Sequence, residues 1–244
     1  MIQTVIHSSA RGAAQAVALF LAECLEAHPD LVLGLPTGRT PVPMYRELVH
    51  LHQQARVDFS SATTFNLDEF VALSPEHRGS YHTFMHRHLF DHVNLDPLRA
   101  HLPDGMAKNP RAEAARYDAA IAAAGGLDIA VLGIGANGHI GFNEPAATLP
   151  GATNVVMLRH SSRVGNAAAF GGQASQVPTR AISMGVGTIL SARHVVLLAT
   201  GAGKAAIVAK ALQGPITTRV PASLLQLHPR AVVVLDRAAA KGLR

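Results

Sequence analysis

Leu132-Gly-Ile-Gly-Ala-Asn-Gly-His-Ile-Gly-Phe-Asn-Glu-Pro145 grows out of an apolar run, Leu127 to Ile134, that reads as a buried strand. Gly133, Gly135, Gly138 and Gly141 then crowd the chain beyond it. Glycines this dense let the backbone turn sharply and let its N–H groups come close to a ligand. Asn137, His139 and Glu144 stand among them. An imidazole set between an amide and a carboxylate can be oriented as an acid/base group. Taken alone, the stretch also reads as a Gly-rich turn with a surface histidine, because one such loop is a weak signal.

Outward from it, strand and helix patterns alternate. That predicts an α/β chain with one open, mostly parallel, twisted sheet and helices on both faces, Rossmann-like, as a single domain over 1–244. Strands are expected at 2–6, Leu31–Leu35, Ala62–Asn66, 127–134, Val155–Leu158, Arg180–Met184, Val195–Ala199 and Ala231–Leu235. Ser8 or Ser9 can cap a helix to about Ala27, Pro41 suits a first helical turn, Ser80 opens a helix to about Phe90, and Asn109-Pro110 opens one to Gly125. Gly201-Ala-Gly-Lys204 turns into a helix that ends near Gly214. Between 161 and 178, Ser161 can cap a short helix that Gly165, Gly171 and Gly172 break. Both a lid, at about 150–178, and a plain surface loop fit that stretch. From Ala238 onward a short exposed tail is expected.

At 244 residues, 48% hydrophobic and 15% charged, the chain can bury one sizeable core. No run of about 18 apolar residues is present, so no membrane span is expected. The start, Met1 to His7, lacks a basic segment before an apolar core, so no signal peptide is expected either. The lone Cys24 cannot form an internal disulfide and sits in an Ala/Leu-rich helical pattern; a packed thiol in a reducing cytoplasm fits. The formal charge is +5, but the basic residues are scattered, Trp is absent and aromatics make up 5%. That leaves little for stacking bases and argues against a nucleic-acid partner. It suits a small anionic metabolite.

Open α/β sheets bind ligands beyond the carboxyl ends of their strands. The Thr37 loop, the Asp68 loop, the Gly135–Glu144 loop and the Lys204 turn all follow expected strands and should gather on one rim. Thr37-Gly-Arg-Thr40 supplies two hydroxyls and free N–H groups at a helix start, which can hold an anion or simply cap a turn. Lys204 can add a cation there or point to solvent. Asp68 and Glu69 end a strand; a carboxylate so placed can be a general base or a cap. His77, His82, His86, His88 and His92 include two i,i+4 pairs but lack a third ligand at metal spacing, so partly exposed helix histidines and no metal are expected.

The stretch 133–145 resembles the signature of the glucosamine-6-phosphate deaminases, also called isomerases. Leu33-Gly-Leu-Pro-Thr-Gly-Arg-Thr-Pro41, Phe65-Asn-Leu-Asp-Glu-Phe70 and Pro221-Ala-Ser-Leu-Leu-Gln-Leu-His-Pro229 resemble further family segments, in order and over nearly the whole chain. The related 6-phosphogluconolactonases share the Gly-x-Gly-x-x-Gly-His core, but Phe142-Asn-Glu-Pro145 favours the deaminase side. The resemblance implies conversion of D-glucosamine 6-phosphate and water to fructose 6-phosphate and ammonia, without cofactor or metal. It implies phosphate held at Thr37, Gly38, Thr40 and Lys204, a base for C1–C2 proton transfer at Asp68, a supporting Glu69, and ring opening by His139, oriented by Glu144 and helped by Asn137. Asp68 is then expected in a partly dry site with its pKa raised.

Two departures stand out. Members often carry Asp where this chain has Asn137. Many also place a phosphate-holding Arg where Ser162-Arg-Val-Gly-Asn-Ala-Ala-Ala-Phe170 has Ala168. Arg39, where the family usually has a small residue, can compensate through a bidentate pair with phosphate; otherwise it points to solvent and the site has drifted toward another amino-sugar phosphate, such as galactosamine 6-phosphate. Asn154-Val-Val offers no basic residue before Arg159, so activation by an N-acetylated sugar phosphate is not expected, and a monomer or small homo-oligomer is. A 6-phosphogluconolactonase and a non-catalytic sugar-phosphate sensor remain the competing classes.

Overall fold

Residues inside the apolar runs alternate between two cores. In the strand Ile129–Leu132, Ile129 and Val131 pack into one buried cluster, while Ala130 and Leu132 pack into the other. The strand His194–Ala199 divides the same way, Val196 and Leu198 against Val195 and Leu197. A period of two with both faces apolar marks a sheet covered by helices on each side. The computed structural model describes residues 2–243; Met1 and Arg244, the ends of the expected domain, lie outside the described residues.

The strands are β1 (Gln3–His7), β2 (Val32–Leu35), β3 (Thr63–Asn66), β4 (Asp68–Phe70), β5 (Ala100–His101), β6 (Ile129–Leu132), β7 (Asn154–Met157), β8 (Arg180–Ser183), β9 (His194–Ala199) and β10 (Ala231–Asp236). Seven of them form the main sheet in the order β1-β10-β9-β6-β2-β3-β5, with every pair parallel. Helices α1 (Ala10–Ala27) and α2 (Val42–Gln53), with α3 (Tyr81–His88), bury Leu21, Leu48 and Met85 in one core. On the other face α4 (Pro110–Ala123), α6 (Val186–Leu190) and α7 (Ala205–Gln213) contribute Tyr117, Ile189 and Val208. Chain order reverses between β2 and β6, which makes their carboxyl ends the switch point where such sheets open a crevice.

Helix starts follow their expected caps. Ser9 Oγ accepts from Gly12 N–H at 3.1 Å, Ser80 Oγ from Thr83 N–H at 3.0 Å, and Asn109 Oδ1 from the Arg111 and Ala112 N–H groups at 3.2 Å each. Pro41 precedes α2 with no side-chain cap, so its first N–H groups keep free capacity.

Four expectations are corrected. The sheet is not alone: β4, β8 and β7 form a separate antiparallel three-stranded sheet. The chain leaves the main sheet at Leu67, whose N–H donates to Leu35 while its carbonyl accepts from Met184. Asp68 and Glu69 therefore belong to a strand of their own. Helix α5 (His160–Asn166) starts after Arg159 rather than at Ser161, and it runs through Gly165. The end is not a free tail: α8 (Arg237–Ala240) is capped by Asp236 and buries Ala239. The edge strand β5 was not foreseen, since two residues carry no period.

Candidate active site

A cleft of about 340 Å³ opens at the β2/β6 switch point. Thr37, Gly38, Arg39, Thr40, Asp68, His139 and Lys204 line it, so the four loops meet on one rim. Asn137 and Glu144 lie one step behind His139 and reach the cleft through it.

The Gly-rich loop is shaped around His139. Its imidazole lies flat on Gly135, where an added Cβ would come within 2.1–2.4 Å of three ring atoms. Gly138 has φ +89° and Gly141 φ +54°, a left-handed region that favours glycine. His139 Nδ1 lies 2.7 Å from Asn137 Oδ1, and Asn137 Nδ2–H donates to Glu144 Oε2 at 2.7 Å. Because the carboxylate can only accept, it turns the amide oxygen toward the imidazole. That assigns the proton to Nδ1 and leaves Nε2 as the free base. The direct orienting group is thus Asn137; Glu144 Oε2 is 3.7 Å from Nδ1 and acts through the amide, the reverse of the expected order. Burial lowers the His139 pKa, with Lys204 lowering it further and Glu144 opposing. A neutral ring results.

Asp68 and Glu69 alternate across β4 and meet opposite surroundings. Glu69 faces inward and accepts N–H bonds from Phe70, Tyr81 and His82 at 2.8–3.1 Å, closing the N-terminus of α3. Burial still pushes it up to about 7. Asp68 faces the cleft, 6% exposed, and accepts no hydrogen bond from a described residue. Burial first, and the Glu69 charge second, push its pKa up to about 8.

At the other end, Lys204 Nζ donates to the Ile134 carbonyl at 2.6 Å, and burial followed by the neighbouring Arg39 lowers its pKa. Arg39 itself is exposed on the cleft rim. These two are the cations among the lining residues, and Ala168 is not one of that set. Thr37, Thr40 and the uncapped start of α2 stand beside them, a cationic, donor-rich concavity suited to a phosphate.

Tyr81, Ser162 and Asn166 also line the cleft, and sequence reasoning did not single them out. Tyr81 Oη donates to Asn166 Oδ1 at 3.2 Å, and Ser162 Oγ–H donates to Glu144 Oε1. The i,i+4 spacing of Ser162 and Asn166 was the available signal. Among the described residues no group of three or more His, Cys, Asp or Glu could hold a metal. His82 and His86 lie with ring centroids 4.5 Å apart, tilted by 36°, and His86 pairs with Asp91 at 2.7 Å instead.

A sequence model of the family described as glucosamine-6-phosphate isomerases/6-phosphogluconolactonase matches residues 7–234. Glucosamine-6-phosphate deaminase 2 of Bacillus subtilis (strain 168) is 49% identical over 230 residues, 93% of this chain and 92% of the relative. The glucosamine-6-phosphate deaminase of Halothermothrix orenii is 44% identical over 98% of this chain and 99% of its own. A solved monomeric glucosamine-6-phosphate deaminase superposes with a TM-score of 0.96 at 40% identity, covering 99% of this chain and 100% of that one. The 6-phosphogluconolactonase of Trypanosoma cruzi shares the fold, with a TM-score of 0.79 at 18% identity, covering 100% and 97%.

Proposed function

The chain belongs to the glucosamine-6-phosphate isomerase/6-phosphogluconolactonase family, and from that premise we propose that it converts D-glucosamine 6-phosphate and water to fructose 6-phosphate and ammonia. The observation that carries this reading is that Asp68 and His139 line the same cleft, the first a buried carboxyl with its pKa raised to about 8 and the second a histidine whose Nε2 is left without a proton. In this reading Thr37, Gly38, Thr40, Arg39 and Lys204 hold the phosphate. His139 Nε2 takes the C1 hydroxyl proton and returns it to the ring oxygen, opening the pyranose. Asp68, ionised, removes the C2 proton while O1 takes a proton from the substrate's ammonium group, and the neutral enolamine forms. Asp68 then delivers the C2 proton to C1, leaving an iminium at C2. Water adds to C2, its two protons pass to the nitrogen, and ammonia departs as ammonium, leaving the C2 carbonyl. Hydrogens and charge therefore balance with water alone.

In this reading the segment at about 150–178 is a lid over the cleft, a role supported by Ser161, Ser162, Gly165 and Asn166, which line it. The enzyme serves amino-sugar catabolism, including N-acetylglucosamine degradation, in the cytoplasm, as a monomer or small homo-oligomer. No helix among the described residues is long and apolar enough to cross a membrane.

The test mixes purified protein with glucosamine 6-phosphate and follows ammonia and fructose 6-phosphate together. Stoichiometric release is expected, with Asp68→Asn at least about 10³-fold slower, in the range of a lost general base. No release of either product would overturn the reading, and galactosamine 6-phosphate and 6-phosphogluconolactone would then be assayed in turn.

A further inference from the structure

Helix α5 reaches into the site with two side chains one turn apart. Ser162, 5% exposed, donates its hydroxyl hydrogen to Glu144 Oε1. Asn166 Oδ1 accepts from Tyr81 Oη, and Asn166 Nδ2 donates to the Ser162 carbonyl at 2.9 Å, which ties the two residues together. Glu144 Oε2 takes the Asn137 amide hydrogen, and Asn137 Oδ1 takes His139 Nδ1–H. An unbroken line of hydrogen bonds therefore runs from α5 to the imidazole.

We propose that Ser162 is a positioning residue: it fixes the Glu144 carboxylate that orients Asn137 and, through it, His139, so the line is complete only while α5 is docked. The proposal rests on the deaminase reading. Two features hold α5 in place. Phe170, just beyond it, packs edge-on to Phe70 and stacks on His77 at 5.3 Å, and the Arg163 guanidinium donates to the carbonyls of Val177 and Ser175. Without the Ser162 hydroxyl, Glu144 keeps one donor from the line instead of two, and its rotamer loosens. The Asn137 amide can then turn over and present its NH2 to the ring. That orientation selects the Nε2–H tautomer, which has no lone pair facing the cleft to take the hydroxyl proton.

The experiment uses the full chain, with steady-state kinetics on glucosamine 6-phosphate and 15N spectra of the histidine side chains. Ser162→Ala is expected to lower kcat by about 10-fold or more, less than the roughly 10²–10⁴-fold worth of the acid/base group itself because the group is loosened and not removed, with KM nearly unchanged. The His139 nitrogen signals should shift from the Nδ1–H tautomer toward a mixture. Ser162→Thr, which keeps the hydroxyl, should restore both. Phe170→Ala should lower kcat through the same link, and adding it to Ser162→Ala should cost little more. Unchanged kcat and tautomer in Ser162→Ala, a threonine no better than alanine, or effects that simply multiply would each overturn the proposal. The spectra are read without turnover. A wild-type protein that releases no ammonia would therefore sink the deaminase reading, while the spectra alone would still decide the role of Ser162.

Discussion

Asp68 and Glu69 are sequence neighbours on opposite faces of β4, and that alternation assigns them different chemistry. The Glu69 carboxylate is consumed by three backbone N–H groups, while Asp68 is left dry and facing the cleft. A carboxyl held at about 8 when folded against 3.8 as its ordinary value stabilises the fold most at low pH. That stability is lost as pH climbs from 3.8 toward 8, where the native state must give up its proton, and the loss is complete above 8. Asp68→Asn should therefore raise the melting temperature at pH 9 while abolishing turnover, and a lower melting temperature there would contradict the burial argument. Because proton abstraction needs the ionised form, kcat/KM should rise with pH up to about 8. Glu69→Gln removes the neighbouring negative charge and should move that limb to lower pH. It also leaves one N–H at the start of α3 without its acceptor, which costs roughly 1–3 kcal/mol. A limb that stays in place in this variant would show that burial alone, and not Glu69, sets the Asp68 ionisation.

Among the elements, the Gly-rich loop after β6 is specified by what its neighbours touch. Gly135 has no side chain because the His139 ring occupies that space. Gly135→Ala should displace the imidazole from Asn137 and cut kcat by about 100-fold or more, as for a lost acid/base group. The far-ultraviolet circular dichroism should be unchanged, since the strand and helices on either side keep their contacts. Activity near that of the wild type would mean that the ring has another resting place. The loop is also docked from the other sheet, since the Phe142 N–H donates to Ser183 Oγ at 3.0 Å and Ser183 pairs with Asp68 across β4 and β8. Asp68 and His139 are thus registered to each other through β8, an element whose strand character was legible in Arg180–Met184 but whose sheet was not. Its partner β4 has only three residues, two of them acidic, so neither length nor apolar period marked it.

At the scale of the whole molecule, the fold brings Arg39 and Lys204, 165 positions apart, to one end of the cleft. Each follows a different strand of the same parallel sheet, and their mutual repulsion helps lower the Lys204 pKa. An anion bound between them relieves that repulsion. Arg39→Ala is accordingly expected to raise KM for the sugar phosphate by about 10-fold, the lower end of a charge-assisted bond's worth, and to weaken inhibition by inorganic phosphate in parallel. Rising salt should raise KM in the wild type more steeply than in the variant. An unchanged KM would place Arg39 in solvent. What the sequence determined by itself was the alternation of strands and helices, most caps, and the rim on which Thr37, Asp68, His139 and Lys204 meet. Those follow from local periodicity and from the rule that parallel strands open ligand sites at their carboxyl ends. Only the tertiary structure decided that Glu69 turns to three backbone N–H groups, that Asn137 stands between His139 and Glu144, and that Tyr81, Ser162 and Asn166 complete the wall. Burial, tautomer and charge are set by atoms that approach from distant parts of the chain, and no local pattern of residues encodes that approach.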